Sequence, residues 1–166
     1  MNQRSFNSAL LFGVSAGLRS MTAPALLALA EQEKGADRHW LLADPRTGRV
    51  LSTMAVGEMI FDKLPFAPNR IAPAGLSARL LSGAMCGAAV AREDETGGAL
   101  LGIAGALVSS FAGFAIRKGA RRVSGLPDLL VALVEDGLAV GIGLAAATMQ
   151  SPEETLRFRK PSRRVA

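Results

Sequence analysis

Residues 129–149 read LLVALVEDGLAVGIGLAAATM, a run whose only charges are the adjacent Glu135 and Asp136. As a helix it would be about 30 Å long, the thickness of a bilayer's hydrocarbon core. An ionised side chain at that depth costs roughly 2.5–3.5 kcal/mol on insertion scales, so acids there face a protein interior or a watery cavity and pair with something. The stretch predicts a polar site enclosed by apolar helices. It does not name the chemistry.

Working outward, residues 5–30, 74–91 and 97–116 form further apolar runs separated by charged segments, the pattern of successive membrane helices. The 166 residues fit one domain, and 49% of them are hydrophobic. The expected fold is all-α: a polytopic membrane bundle of four to five hydrophobic helices at about 5–30, 50–63, 74–91, 97–118 and 126–149. Helix 2 has an apolar length of about 13 residues, short for a span and suited to a re-entrant segment. Pro73 and Pro127 fit first turns, Pro65 and Pro68 close helix 2, and Asp44-Pro45-Arg46-Thr47-Gly48 reads as a turn in a solvated loop. Residues 1–150 make a single membrane domain with a polar loop at 31–49, and 151–166 make a basic, mobile tail.

Composition narrows the function classes. Cys86 is the only cysteine and His39 the only histidine, which argues against a disulfide and against a His/Cys metal site. No metal or cofactor is implied. The net charge of +5 comes from bases at segment ends, Arg117, Lys118, Arg121 and Arg122, and in the tail. That distribution fits a cytoplasmic face or anionic headgroups better than a nucleic acid. Arg4 before an apolar run and the small-x-small Ala28-Leu29-Ala30 invite a secretory-signal reading, but Arg19 and Pro24 interrupt the run. Helix 1 is therefore expected to be retained.

Laying Ala9-Leu10-Leu11 on Ala99-Leu100-Leu101 also aligns Ala16, Ser20 and Ala25 with Ala106, Ser110 and Ala115. Acids follow in both halves, as in carriers built from two weakly similar repeats. Five full spans would run helices 1 and 4 in opposite directions, giving an inverted repeat. If helix 5 turned back at Glu135-Asp136-Gly137, the repeat would instead be parallel, and nearly all loop bases would share one side.

Six embedded charges form the candidate ion or substrate site: Arg19, Glu58, Asp62, Arg79, Glu135 and Asp136. Ser8, Ser15, Arg19 and Thr22 share one helical stripe, Arg79, Ser82 and Cys86 another, and Glu58 with Asp62 a third. Arg19 needs an acid at that depth, with Glu135 or Asp136 the natural partner. Two arginines against four carboxylates leave an excess of two negatives, which protonation or a bound cation would neutralise. Small-xxx-small pairs at Gly13/Gly17, Gly83/Gly87, Gly98/Gly102 and Gly137/Gly141 predict close helix packing, within the chain or in a homo-oligomer.

Gly17-Leu18-Arg19-Ser20, the run from Gly57-Glu58 to Asp62-Lys63-Leu64-Pro65, Pro68-Asn69-Arg70 and Leu133-Val134-Glu135-Asp136 resemble the bacterial membrane-protein family called domain of unknown function 4126, over about residues 6–149. The resemblance implies a small integral protein of a bacterial inner membrane and carries over no catalytic residue. The leading expectation is a proton- or cation-coupled transporter or channel-like module in contact with membrane lipid. The alternative is a non-transporting scaffold whose buried charges are structural ion pairs. An enzyme acting on lipid headgroups ranks third, because no nucleophile motif or phosphate loop accompanies the carboxylates.

Overall fold

The computed structural model describes residues 1–33, 41–62, 73–123 and 128–150. His39, Pro65, Pro68, Pro127 and the tail lie outside them. Among the described residues there is no strand, and six helices form: α1 (Gln3–Leu18), α2 (Thr22–Glu33), α3 (Pro45–Phe61), α4 (Pro73–Val90), α5 (Glu95–Val123) and α6 (Asp128–Thr148), with a 3-10 turn at Leu41–Ala43. Helices 2 to 5 of the sequence reading correspond to α3 to α6. Two helices are long and apolar enough to cross a membrane, over Glu95–Gly119 and Leu129–Thr148.

The first correction concerns residues 5–30, which do not form one helix. The chain leaves α1 at Arg19, whose backbone is extended (φ −142°, ψ 115°), and restarts at Thr22. Pro24 explains the break. It has no N–H for the Ser20 carbonyl four residues back, and its ring would clash with that carbonyl in a continuous helix. The second half then turns back. Ser8 and Ser15 donate to the carbonyls of Ala146 and Ala139 at 2.9 and 2.8 Å, so α1 runs antiparallel to α6. Leu26 lies against Gly143, and Glu31 reaches Arg92, just past the end of α4. Thus α2 returns toward the end from which α1 started, and Arg19-Ser20-Met21 is the tip of a helical hairpin inside the bundle.

Beside the hairpin, α3 climbs antiparallel to α2. At its lower end Gln32 donates to the Asp44 carbonyl, and at its upper end Glu58 meets Ser20 and Met21. The expected turn at residues 44–48 is instead the start of this helix. Asp44 caps it, accepting from the Arg46 N–H at 2.8 Å, and Pro45 occupies the first turn.

The hairpin rests on a glycine-lined seam. Gly13 of α1 and Gly83 of α4 both abut Gly102 of α5, Gly87 abuts Gly98, and Gly17 abuts Ala106. Residue numbers rise together along α1 and α5, so these helices are parallel, and the inverted relation expected between helices 1 and 4 is absent from this pair. The hairpin is the cause: it uses two elements where one span was expected and so restores α5 to the direction of α1. The alternative turn-back of helix 5 does not occur either, since α6 continues unbroken through Glu135-Asp136-Gly137. Gly137 and Gly141 do not join the packing, because a Cβ at either position meets nothing. Ala9, Phe12, Leu27, Cys86 and Ala146 fill the core beside the hairpin.

Candidate functional site

The break exposes backbone groups that a continuous helix would have paired, and side chains from three other helices collect them. Glu58 of α3 takes the donors: its Oε1 accepts from the Ser20 N–H at 2.9 Å and the Ser20 hydroxyl at 3.0 Å, and its Oε2 accepts from the Met21 N–H at 2.8 Å. Ser82 of α4 donates to the freed Ser20 carbonyl at 2.5 Å, and Ser110 of α5 donates to the Gly17 carbonyl at 3.0 Å. A carboxylate at the start of α2 also meets the positive end of the helix dipole.

Arg19 occupies the tip with no solvent exposure. Its Nη1 donates to Asp62, the residue that caps the end of α3. On the other side its Nε donates to Asp136 Oδ1 of α6 at 2.6 Å, while Nη2 lies 2.5 Å from the same oxygen without hydrogen-bond alignment. One guanidinium therefore ties α3 and α6 to the hairpin, with helices that make little other contact joined through its charge.

Arg79 of α4 is buried within electrostatic reach of Glu58, Asp62 and Arg19, yet its Nη1 has no hydrogen-bond partner among the described residues. Thr22 Oγ1 is buried and unpartnered in the same way. Glu135 departs from Asp136. The two are successive residues, about 100° apart around α6, and Glu135 turns toward α5, where a Cβ on Gly113 would lie 3.1 Å from its Oε1. Of the six predicted charges, five gather at the tip and Glu135 sits to one side. Among the described residues no group of three His, Cys, Asp or Glu side chains could hold a metal ion.

Sequence reasoning missed the break, and with it the roles of Ser20, Met21 and Ser110. Pro24 was the signal. The break also separates Thr22 from the stripe it would share with Ser15 and Arg19 in a continuous helix.

Removing the acceptor at the start of α2 has a measurable cost. Glu58→Gln places an amide NH2 against one of the two backbone donors and should destabilise the purified protein by about 1–3 kcal/mol, the cost of an unsatisfied buried polar group. The exposed Glu93→Gln should stay within about 0.5 kcal/mol of wild type. Thermal unfolding in detergent compares the two.

The fold and site define a class: an all-helical chain with a charged centre at a broken helix and two helices able to cross a membrane. The chain belongs to the family described as domain of unknown function 4126 (DUF4126), whose model matches residues 8–152. No curated protein and no solved structure matches it.

Proposed function

We propose that this chain is a small multi-pass membrane protein that moves protons or small cations through the charged centre at the hairpin tip. The observation that carries the proposal is Arg19, a fully buried guanidinium at a helix break, shared between carboxylates of two separate helices. In lipid, non-helical backbone is tolerated only where protein buries it or it lines a water-filled cavity, and discontinuous helices at mid-depth build the ion sites of many carriers. In this view α1–α2 is a re-entrant hairpin and α3 to α6 are the spans.

The distribution of polarity supports membrane embedding. Leu81, Val108, Ile116 and Val134 are 64–71% exposed, whereas Ser8, Ser15 and Arg19 are completely covered. Apolar side chains outward and polar ones inward is the arrangement a lipid solvent favours. At the tip, Arg19 and Arg79 stand among the carboxylates of Glu58, Asp62 and Asp136. Buried carboxylates gathered in this way are the groups that proton relays and ion paths in membranes use.

The second reading, a scaffold that transports nothing, draws on the saturation of Glu58 and the double pairing of Arg19, which would also hold a hairpin in register. Flux separates the two. Protein reconstituted in liposomes with an internal pH dye should dissipate an imposed gradient of pH or small cations, and Asp136→Asn should slow that dissipation by roughly 10²-fold. Wild-type vesicles as tight as empty ones under both gradients would leave the scaffold.

A further inference from the structure

We infer that the mobile species at this site is the proton itself, not a metal cation, and that it reaches Asp62 and Asp136 through water held against Arg79. The inference rests on the transport reading and narrows it. It begins from what each carboxylate is already doing. Both oxygens of Glu58 accept hydrogen bonds, three in all, from the residues that lead into α2, which leaves the carboxylate little capacity to ligate a cation. Asp62 and Asp136 are bound to opposite sides of the Arg19 guanidinium. A sodium- or potassium-sized ion seeks six or so oxygen ligands, as hard cations do. Here it would have to take them from these acids while sitting beside two arginines. No group of three acidic, His or Cys side chains among the described residues offers a metal cage.

A proton needs no coordination shell. It adds to one carboxylate oxygen as an O–H bond and leaves from that same oxygen, with no other bond made or broken. Loading Asp62 or Asp136 removes one negative charge and loosens that acid's hold on Arg19, while the other acid retains it. The guanidinium can then move between two partners without ever being buried unpaired, and unpaired burial of a charge is the costly state.

Access is the second requirement. Arg79 Nη1 and Thr22 Oγ1 are buried polar atoms without partners among the described residues, and buried water ordinarily satisfies such atoms. Arg79 stands one helical turn before Ser82, which binds the hairpin tip, and within electrostatic reach of Asp62. Water at Nη1 would therefore lie beside the triad. The Asp62 side chain is 20% exposed and that of Asp136 is 11%, which makes Asp62 the outer member.

Among the described residues, the charged groups around the pair are Arg19 at the tip, Glu58 on α3, Arg79 on α4 and Glu135 beside Asp136 on α6, with Arg117 one turn beyond Gly113, the α5 residue that Glu135 approaches. α2 presents no charge before Glu31, at its far end.

The test uses the full chain in liposomes with an internal pH dye and an imposed pH gradient, in sodium, in potassium, and in choline replacing both. The expected result is the same rate of pH relaxation in all three. Arg79→Met, which removes the water's donor, should slow it by roughly 10²-fold, while Arg79→Lys, which restores a donor, should recover much of it. Folding of each variant is checked by thermal unfolding, and Asp62→Asn, at the more exposed acid, provides a second variant if Arg79→Met does not fold. Relaxation that requires sodium or potassium overturns the proton assignment and keeps transport. Rates unchanged in both Arg79→Met and Asp62→Asn overturn the assignment of path and carrier. No flux under any gradient overturns transport and this inference together.

Discussion

Arg19→Met should abolish accumulation of folded protein, or lower its stability in detergent by about 3–5 kcal/mol, the cost of breaking a buried ion pair by removing one partner. The magnitude follows from what remains. Asp62 and Asp136 would both lose their guanidinium at a site where Arg19 itself is completely buried, and hairpin, α3 and α6 would lose their shared tie. Arg19→Lys should not rescue fully, because one ammonium lacks the planar fork that reaches two carboxylates on opposite sides. Adding Asp62→Asn and Asp136→Asn to Arg19→Met removes the two charges that Arg19 had bound and should recover a substantial part of the loss. Thermal unfolding of the single, double and triple variants measures the coupling. Additive losses, with no recovery in the triple variant, would show that the three side chains are energetically independent.

The parts of this centre that were legible in the sequence are those governed by helical periodicity. Ser8, Ser15 and Arg19 share a face because 7- and 4-residue spacings return to the same side of a helix, and all three meet α6. Glu58 and Asp62, four apart, both reach the hairpin tip, and Arg79, Ser82 and Cys86 are all buried on one side of α4. The ends of α4 were also readable, from Pro73 at the start and the charges after Ala91.

What periodicity could not supply was the place where a helix stops. Apolar content stays high across residues 5–30, so hydropathy alone runs α1 into α2, and only the missing N–H of Pro24 betrays the break. Direction was lost with it. Once the chain doubles back at Arg19, every later helix reverses relative to a one-span count, which is why α1 and α5 turn out parallel. The identity of Arg19's partners was likewise half legible. An acid on α6 was required, but neighbours on a helix point about 100° apart, and choosing Asp136 over Glu135 needs the rotation of α6 about its axis. That rotation is set by Ser8 and Ser15 bonding to Ala146 and Ala139.

Gly102→Ala should destabilise the protein by about 1–3 kcal/mol, the range for overpacking a close-packed interior, and toward its upper end. Three helices meet at this residue. A methyl there would strike the Gly83 carbonyl of α4, which is backbone and cannot rotate aside, and the Gly102 backbone is already the surface on which Gly13 of α1 rests. Relief would require moving α4 away from α5 along the same seam that brings Gly87 onto Gly98, so the strain spreads over the whole contact. In a lipid environment, where association relies on close packing instead of exclusion of water from apolar surface, separated helices have little to compensate them. Gly137→Ala and Gly141→Ala make the contrast: the same sequence motif on α6 faces open space, so the new methyl meets nothing and the helix gains up to about 1 kcal/mol of intrinsic propensity. The opposite signs are what thermal unfolding of the three variants should return. A loss at all three positions, Gly102, Gly137 and Gly141, would mean that glycine acts here through the backbone of each helix and not through the seam between them.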